Sequence, residues 1–419
     1  MTPKPGKAGQ RVWAPQVRGP RRQVFVAGVE IPFLGSGITQ LSITGLLILA
    51  LTGCRPHDFP TYPPNYREYA YVTNGGSGTV SIYDVVNVRL DRELAVGLNP
   101  AALAPSLTRN EVYVVNEGAP NGRGSVSVIN AENNSVAATI PVQKQPVAIA
   151  LDPDSALAYV ANSGSNSVSV LDLKARREIA VIGTGEEPMA LRVSPDGKTL
   201  AVANRRGNSV SLIDTATRTV RAAFDGCPGA SAVVILPDST KAFVACSGGH
   251  QIMAVALARP KAHPAEPDRV EALLDVGRAP VELALKPDGG EVFVLNSLSD
   301  SVSEVITGTD DVLGAYLMGD DPVRGLVSRD NSLLYVGNLH SQEVSIYSID
   351  DGKRIGSINV GNGPSAFAFS SAGHLLFVVD SRSGDVAVVR TSSQSQFAFT
   401  LLPAGREPNA IADKAFNLP

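Results

Sequence analysis

A strand-like segment that ends in an Asn-type residue recurs eight times along this chain, and this repeat restricts the possible folds more than any other feature. Typical copies are residues 71–74, Tyr-Val-Thr-Asn, and residues 159–162, Tyr-Val-Ala-Asn. The last residues of the copies, named the anchors below, are Asn74, Asn116, Asn162, Asn204, Cys246, Asn296, Asn338 and Asp380, with spacings of 42, 46, 42, 42, 50, 42 and 42 residues. Such a period is typical of a fold built from equivalent units that pack against one another.

Each repeat contains the signals of four strands. A proline stands 16 residues ahead of six anchors and opens a short segment rich in Ala and aliphatic residues; these prolines are Pro100, Pro146, Pro188, Pro280, Pro322 and Pro364. Turns such as residues 194–197, Ser-Pro-Asp-Gly, separate this segment from the strand that carries the anchor. A Ser-Val-Ser segment and a fourth strand follow. Four-stranded units at this period predict an all-β fold, a β-propeller with the units as its blades.

The two ends of the repeat region predict how the ring closes. The first anchor, Asn74, has no proline-led segment before it, whereas the chain finishes with an orphan segment of this kind, residues 408–412. We therefore expect the C-terminal segment to supply the innermost strand of the first blade, which leaves no free sheet edge at the seam. Eight anchors and eight proline-led segments predict eight blades, with seven blades as the alternative.

The repeated Tyr-Val-Thr-Asn motif resembles that of the YVTN-repeat β-propeller family of extracytoplasmic bacterial and archaeal proteins. The resemblance extends over about residues 69 to 413 and recurs in all eight repeats. It implies the propeller fold. It implies little about activity, because propellers carry unrelated functions.

The N-terminal region has the features of an export signal. Six basic residues and one acidic residue precede an apolar stretch at residues 41–51, which is followed by Thr52-Gly53-Cys54. This order resembles the signal peptide and lipobox of bacterial lipoproteins, in which the cysteine is lipidated after cleavage. A transmembrane anchor is the alternative, but the apolar stretch is shorter than the roughly 20 residues that cross a bilayer. The Arg21-Arg22 pair is a weak signal of twin-arginine export.

These signals divide the chain into a lipoprotein signal peptide at 1–53, a proline-rich spacer at 54–66 and a β-propeller at 67–419. We expect an exported protein on the periplasmic side of the outer membrane or on the cell surface. Removing residues 1–53 takes the formal net charge from −4 to −9. An acidic product argues against nucleic-acid binding. The expected partners are the membrane, through the lipid alone, and an unidentified protein or small molecule, with the protein itself a monomer.

Catalytic motifs are scarce. The chain has no Gly-x-Ser-x-Gly, His-Glu-x-x-His, phosphate-loop or Cys-x-x-Cys motif. Five histidines in the whole chain make a histidine-rich metal site improbable. We interpret His57 and His263 as solvated, and His374 as an ordinary turn residue on the face opposite the anchors. No cofactor is predicted; haem d1 or a divalent metal is the alternative.

One end of the predicted propeller is the best candidate for ligand binding. The connections that lead into the proline-led strands and those that follow the anchors emerge there together around the central channel. The polar residues of this rim are Glu117, Glu186, Glu187, Arg205, Arg206, His250, Arg278, Asp321, His340, Arg382 and Glu407. A solvated surface without a ligand is the alternative interpretation.

Two charged residues interrupt the proline-led strands. Two residues after the leading proline most repeats carry Ala, whereas the sixth and seventh carry Glu282 and Arg324. Opposite charges in adjacent blades predict a partly buried ion pair. The alternative is that both side chains line a ligand channel.

The two cysteines of the mature repeats are predicted to form a disulfide. Cys246 takes the place of an anchor, and Cys227 precedes the inner strand of the same blade, so both lie at one end of the same hairpin. An exported protein meets an oxidising compartment that permits the bond. Two buried free thiols are the alternative.

Three functions from different classes are consistent with these observations. The favoured one is a lipid-anchored binding or interaction module of the cell envelope. A redox-associated propeller that binds haem d1 is second, with His250 and His340 as the rim residues that could supply an axial ligand. A lactonase-like hydrolase is third, and it would need carboxylates that converge on a metal.

Overall fold

The computed structural model describes residues 60–258, 266–391 and 396–418. Within these ranges 32 strands form eight sheets of four antiparallel strands each. We number the blades in the order of their anchors and call the strands of each blade a to d, from the central channel outward.

The first four blades have the following strands. Blade 1 contains β1 (Tyr66–Asn74), β2 (Thr79–Asp84), β3 (Arg89–Ala95) and β32 (Pro408–Asn417). Blade 2 contains β4 (Pro100–Pro105), β5 (Glu111–Asn116), β6 (Arg123–Asn130) and β7 (Ser135–Lys144). Blade 3 contains β8 (Pro146–Leu151), β9 (Leu157–Asn162), β10 (Ser167–Asp172) and β11 (Arg177–Gly183). Blade 4 contains β12 (Pro188–Val193), β13 (Thr199–Asn204), β14 (Ser209–Asp214) and β15 (Thr219–Asp225).

The remaining four blades follow the same order. Blade 5 contains β16 (Ala230–Ile235), β17 (Lys241–Cys246), β18 (Gln251–Ala256) and β19 (Arg269–Asp275). Blade 6 contains β20 (Pro280–Leu285), β21 (Glu291–Asn296), β22 (Ser301–Ile306) and β23 (Asp311–Leu317). Blade 7 contains β24 (Pro322–Val327), β25 (Leu333–Asn338), β26 (Glu343–Ser348) and β27 (Lys353–Asn359). Blade 8 contains β28 (Pro364–Phe369), β29 (Leu375–Asp380), β30 (Asp385–Arg390) and β31 (Phe397–Pro403). Short 3₁₀ turns occupy Ser163–Ser165 and Ser297–Ser299.

The ring closes where the sequence predicted. Strand β32 pairs with β1 from Tyr66↔Asn417 to Asn74↔Pro408, so the C-terminal segment is strand a of blade 1. The prediction of eight blades is confirmed, and the seven-bladed alternative is wrong. Because β32 covers the inner edge of β1, blade 1 has the same four strands as every other blade.

The hydrophobic core lies between blades, not within them. Eight clusters of buried side chains fill the eight interfaces, and each contains residues of two neighbouring blades. At the seam, Val72 of blade 1 packs in one cluster with Phe377 of blade 8. Each blade therefore depends on both neighbours for burial of its two faces, which explains why the repeat has no stable form as a single unit.

The anchors join strand b to strand c through buried hydrogen bonds. In blade 4, Asn204 Nδ2 donates to Ser211 Oγ at 2.9 Å and to Ser209 Oγ at 3.3 Å. The contact to the second serine recurs from Asn74, Asn116, Asn162, Asn296 and Asn338. These side chains are buried, so an amide that lost its partner there would pay the full desolvation penalty.

The other side of the anchor contacts a glycine of the connection into strand a. Asn74 Oδ1 accepts a hydrogen bond from Gly405 N at 3.1 Å. A Cβ at residue 405 would lie 2.7 Å from Asn74 Cγ, closer than a side-chain carbon can approach. The glycine three residues before strand a is therefore required by the anchor and not by the turn alone.

Blade 5 replaces both members of this contact. Cys246 is its anchor, and Cys227 stands three residues before β16, where six other blades have the glycine. The two buried sulfur atoms are bonded in the structure, with the Cα atoms 4.8 Å apart. The bond thus connects the same two backbone segments that the amide and the glycine connect elsewhere.

We predict that this disulfide contributes measurably to stability. Replacing both cysteines with serine should lower the free energy of unfolding by about 3 kcal/mol, because the cross-link closes a loop of roughly 20 residues in the unfolded chain. The matched control is Cys227→Ala with Cys246→Ala, which removes the cross-link without burying two hydroxyl groups; a similar loss of stability would assign the effect to the cross-link. Mass spectrometry after alkylation of the denatured, unreduced protein checks the bond itself; labelling of both thiols would contradict it.

The expected leader lies largely outside the described residues. The predicted signal peptide at 1–53 is outside them, as are Cys54 and His57. His263, in the connection between β18 and β19, is also outside the described residues. Strand β1 begins at Tyr66, the last residue of the predicted spacer, and Tyr62 stacks on it with the ring centroids 4.8 Å apart. Tyr62 also contacts the His374 ring, with its hydroxyl 3.1 Å from Nε2. No helix in the described part of the chain has the length and apolar character to traverse a bilayer.

Candidate functional site

The inner strands surround a cavity of about 390 Å³ in the centre of the ring. All eight blades contribute to its wall, mainly with Ala, Leu and Ile side chains from the first half of strand a. Small side chains are expected here because eight strands converge on one axis. The cavity lies toward the rim and has the size of a small-molecule site.

A second cavity of about 350 Å³ lies deeper in the channel. Its wall includes Pro195 and Pro287, which belong to the turns between strands a and b on the face opposite the rim. The two cavities share five wall residues, namely Arg192, Val234, Glu282, Leu283 and Arg324. Among the described residues, the charged side chains that line either cavity are those of Arg192, Glu282 and Arg324.

Glu282 and Arg324 lie side by side at this junction. Arg324 Nη1 donates to Glu282 Oε1 at 3.3 Å. The side chains are 23% and 37% exposed, so the pair is only partly desolvated, and it borders open space in the channel. Both interpretations made from the sequence therefore describe this structure, since the residues form a pair and also line the channel.

Arg192 was missed by the sequence analysis. It occupies strand a of blade 4, four residues after the leading proline, whereas Glu282 and Arg324 come two residues after theirs. The guanidinium group is exposed to the channel space, but the channel walls surround it. This confinement lowers the pKa of Arg192; the charge of Glu282 opposes that effect and the charge of Arg324 adds to it. The available signal was a charge at a position that is aliphatic in every other repeat.

The rim forms where predicted, because the two sets of connections contact each other. Arg205 N donates to Glu187 O at 2.8 Å, for example. Glu187, Asp321 and Glu407 each stand directly before the leading proline, with φ of 55°, 58° and 55°. Since the residue at this position has positive φ in all eight blades, its placement follows from the turn that every blade needs.

The predicted rim residues form separate small groups. Glu186, Glu187 and Arg206 line a surface cavity of about 530 Å³ between blades 3 and 4, where Arg206 Nε is 3.9 Å from Glu187 Oε2. His250 Nε2 is 3.7 Å from Asp275 Oδ1. His340 Nδ1 is 3.3 Å from Asp321 Oδ2. None of these rim residues lines either of the two central cavities.

The other rim residues are placed by local contacts. Arg278 Nη2 donates to Leu298 O at 2.7 Å, and Arg205 and Arg382 are exposed. Burial raises the pKa of Glu117. The exposed Glu407 lies against Gly76, in the first connection after an anchor.

In residues 60–258, 266–391 and 396–418, no three His, Cys, Asp or Glu side chains are arranged to hold a metal ion. The residues present thus provide no ready metal centre in the channel or on the rim.

Comparison with known proteins supports the fold. The family described as lactonase, 7-bladed β-propeller, matches residues 134–223, less than a quarter of a chain whose structure has eight blades. No curated protein matches the sequence.

Similar solved structures have a range of described roles. Dihydro-haem d1 dehydrogenase NirN is 16% identical, with a TM-score of 0.65 over 87% of this chain and 78% of that one. AztD from Citrobacter koseri is 12% identical, with a TM-score of 0.62 over 84% and 99% of the two chains. Hydrazine synthase from Kuenenia stuttgartiensis is 21% identical, with a TM-score of 0.53 over 66% and 91%. At these identities the likeness shows the fold alone.

Proposed function

We propose that this protein is a lipid-anchored binding protein of the bacterial cell envelope, of the YVTN-repeat kind, and that it holds a small molecule in the central channel. The observation that carries the proposal is the group of Arg192, Glu282 and Arg324 at the junction of two cavities. The other wall residues are mostly aliphatic, with the uncharged polar residues Ser231, Ser365 and Asn409 among them. Mostly apolar walls with a few convergent polar groups are characteristic of ligand sites.

Binding without catalysis fits the chemistry of this site better than an enzyme does. The channel offers two guanidinium groups and one carboxylate that is already paired. An arginine stays protonated at any physiological pH, so it can orient a ligand but is poorly suited to proton transfer. The described wall residues include no histidine, cysteine or tyrosine, and the hydroxyl groups of Ser231 and Ser365 donate to backbone carbonyls and not to a base.

Two alternatives remain candidates through specific similarities. The likeness to NirN favours a haem d1 protein, but His250 and His340 lie on the rim and line neither central cavity. The partial match to the lactonase family favours a hydrolase, but the carboxylates of the described residues do not converge as a metal site. The binding function needs neither arrangement.

Protein purified from its native envelope tests the proposal. Denaturation followed by mass spectrometry should release a small molecule in a fixed ratio to protein, and the visible spectrum should lack a Soret band. A Soret band would favour the haem alternative. Metal-dependent hydrolysis of a lactone would favour the hydrolase, and absence of any bound or bindable small molecule would contradict all three.

The lipid anchor is tested separately. Cys54→Ala should abolish lipidation and move the protein from the membrane to the soluble fraction, because a thioether-linked lipid requires the cysteine sulfur. Fractionation with detection by antibody gives the result, and Cys54→Ser is a second variant that also lacks the thiol. Membrane retention of both variants with an uncleaved leader would indicate a transmembrane anchor instead.

A further inference from the structure

Two departures from the repeat coincide at one place in blade 4. Arg192 stands where the other strands a carry the aliphatic residues Ala104, Ala150, Val234, Ala284, Leu326, Ala368 and Ala412. Its cross-strand partner in the register is Ala201, where the other strands b carry the aromatic residues Tyr71, Tyr113, Tyr159, Phe243, Phe293, Tyr335 and Phe377. Blade 4 therefore pairs a long cationic side chain with a methyl group, where the other blades pair an aliphatic residue with an aromatic ring.

The guanidinium of Arg192 has no partner within the described protein. None of its nitrogen atoms donates a hydrogen bond or forms an ion pair with another described residue, whereas Arg324 is paired with Glu282. The channel junction therefore carries one positive charge in excess. A guanidinium that is surrounded by channel walls and has no counter-charge of its own is a candidate site for an anion that enters from outside.

The surroundings favour an organic anion. Guanidinium is a planar fork that matches the two oxygens of a carboxylate or a phosphate. The walls above and below are largely aliphatic, and cavities of about 390 and 350 Å³ admit a small molecule with a hydrocarbon part. The mature chain is acidic as a whole, so a local positive site is needed to attract such an anion.

We propose that the central channel binds a small organic oxyanion, a carboxylate or a phosphate ester. The guanidinium of Arg192 holds its oxygens, and Arg324 and Glu282 border the same binding site. This inference rests on the proposed binding function and adds the chemical class of the ligand. The three charged side chains come from blades 4, 6 and 7, so this binding site forms only in the closed ring.

The alternative explanation is that Arg192 fills the space left by the missing aromatic ring. A variant that restores the common pair separates the two explanations. Arg192→Ala with Ala201→Tyr rebuilds the arrangement of Ala150 and Tyr159 in blade 3. If Arg192 binds the ligand, this variant should lose anion binding without losing stability. If Arg192 is purely structural, the variant should bind anions as the parent protein does.

The experiment measures binding of defined anions by calorimetry to the mature protein purified from its native envelope in detergent, in chloride buffer at constant ionic strength. The probes are hexanoate, succinate, glycerol 3-phosphate and inorganic phosphate. At least one organic probe should bind, and the double variant should weaken its binding at least about tenfold, because charge-assisted hydrogen bonds are lost. The control is Arg177→Gln, which removes an exposed arginine of the outer strand β11 and should bind as the parent protein does.

The outcomes distinguish failure of the oxyanion proposal from failure of the proposed binding function. Failure of all four probes, or unchanged binding in the folded double variant, overturns the oxyanion proposal. If the native protein nevertheless releases a neutral small molecule, the proposed binding function stands and only the ligand class is wrong. If it releases nothing and binds no probe, both proposals fail. Stronger binding of the carboxylates or of the phosphates to the protein identifies which oxyanion the binding site prefers.

Discussion

Deleting residues 406–419 should prevent the propeller from folding at ordinary temperature. The deletion removes β32, which pairs with β1 along its whole length and completes blade 1. It also removes Ile411 and Phe416 from the clusters on the two faces of that blade. We expect a loss of at least about 5 kcal/mol, which is comparable to the total stability of many domains.

Thermal unfolding followed by circular dichroism checks this prediction. The matched control deletes only Pro419, which follows β32 and Leu418 in the sequence and should change the melting temperature by little. A synthetic peptide of residues 406–419 should partly restore folding when added to the truncated protein. An unchanged melting transition in the truncated protein would show that β32 is dispensable for ring closure.

Replacing Asp380 with Asn should stabilise the protein and reduce the dependence of its stability on pH. Asp380 is the buried anchor of blade 8 and faces Asp385, which stands where several blades have serine. Burial raises the pKa of Asp380 to about 8, and its hydrogen bond and charge interaction with Asp385 contribute further to the rise. One oxygen of each carboxyl group is buried without a hydrogen-bond partner among the described residues.

The sign of the effect follows from proton uptake. In the unfolded chain Asp380 ionises near its ordinary pKa of 3.8, whereas in the folded chain it keeps its proton up to about pH 8. Folding therefore binds a proton between these values, and the free energy of unfolding falls as pH rises through this window, by up to about 1.4 kcal/mol per pH unit. Below pH 4 the group has no such effect.

Asn at this position has no proton to take up, and its Nδ2 could donate to the Asp385 carboxylate. We expect the variant to be more stable than the parent by at least about 2 kcal/mol at pH 8, with little difference near pH 4. Denaturant unfolding at several pH values measures both quantities. The control Asp225→Asn removes an exposed charge at the end of β15 and should leave the slope unchanged. Parallel pH profiles for parent and Asp380→Asn would contradict the assigned protonation.

The periodic pattern was sufficient to predict most of the fold. Blade number, strand order and ring closure depend on signals that recur every 42 residues or so, and on an orphan segment at residues 408–412, so they could be counted along the chain. The pairing of Cys227 with Cys246 was also accessible, because both residues belong to one hairpin. The rim was placed at the correct end for the same reason.

The glycine opposite six of the eight anchors was overlooked although it was visible in the sequence. Gly405 and its equivalents stand three residues before strand a, but the reason for them is the close approach of the anchor side chain. That approach is a distance between two connections, and the sequence alone contains no such distance. The same limit applies to the raised pKa of Asp380, which depends on its burial and on how near the carboxyl group of Asp385 lies.

The chain by itself determined which units form and in what order, because hydrophobic alternation and turn residues act over short distances. The sequence also predicted that Glu282 and Arg324 pair near the channel, but only the closed ring decided that Arg192 lines the same space. Arg192, Glu282 and Arg324 belong to three blades and to two different positions of strand a, and they meet because eight strands converge on one axis. The rim residues come from several blades, and the ion pairs among them, such as Arg206 with Glu187 and His340 with Asp321, are local. Convergence and solvation are properties of three-dimensional packing, so no period in the sequence could reveal them.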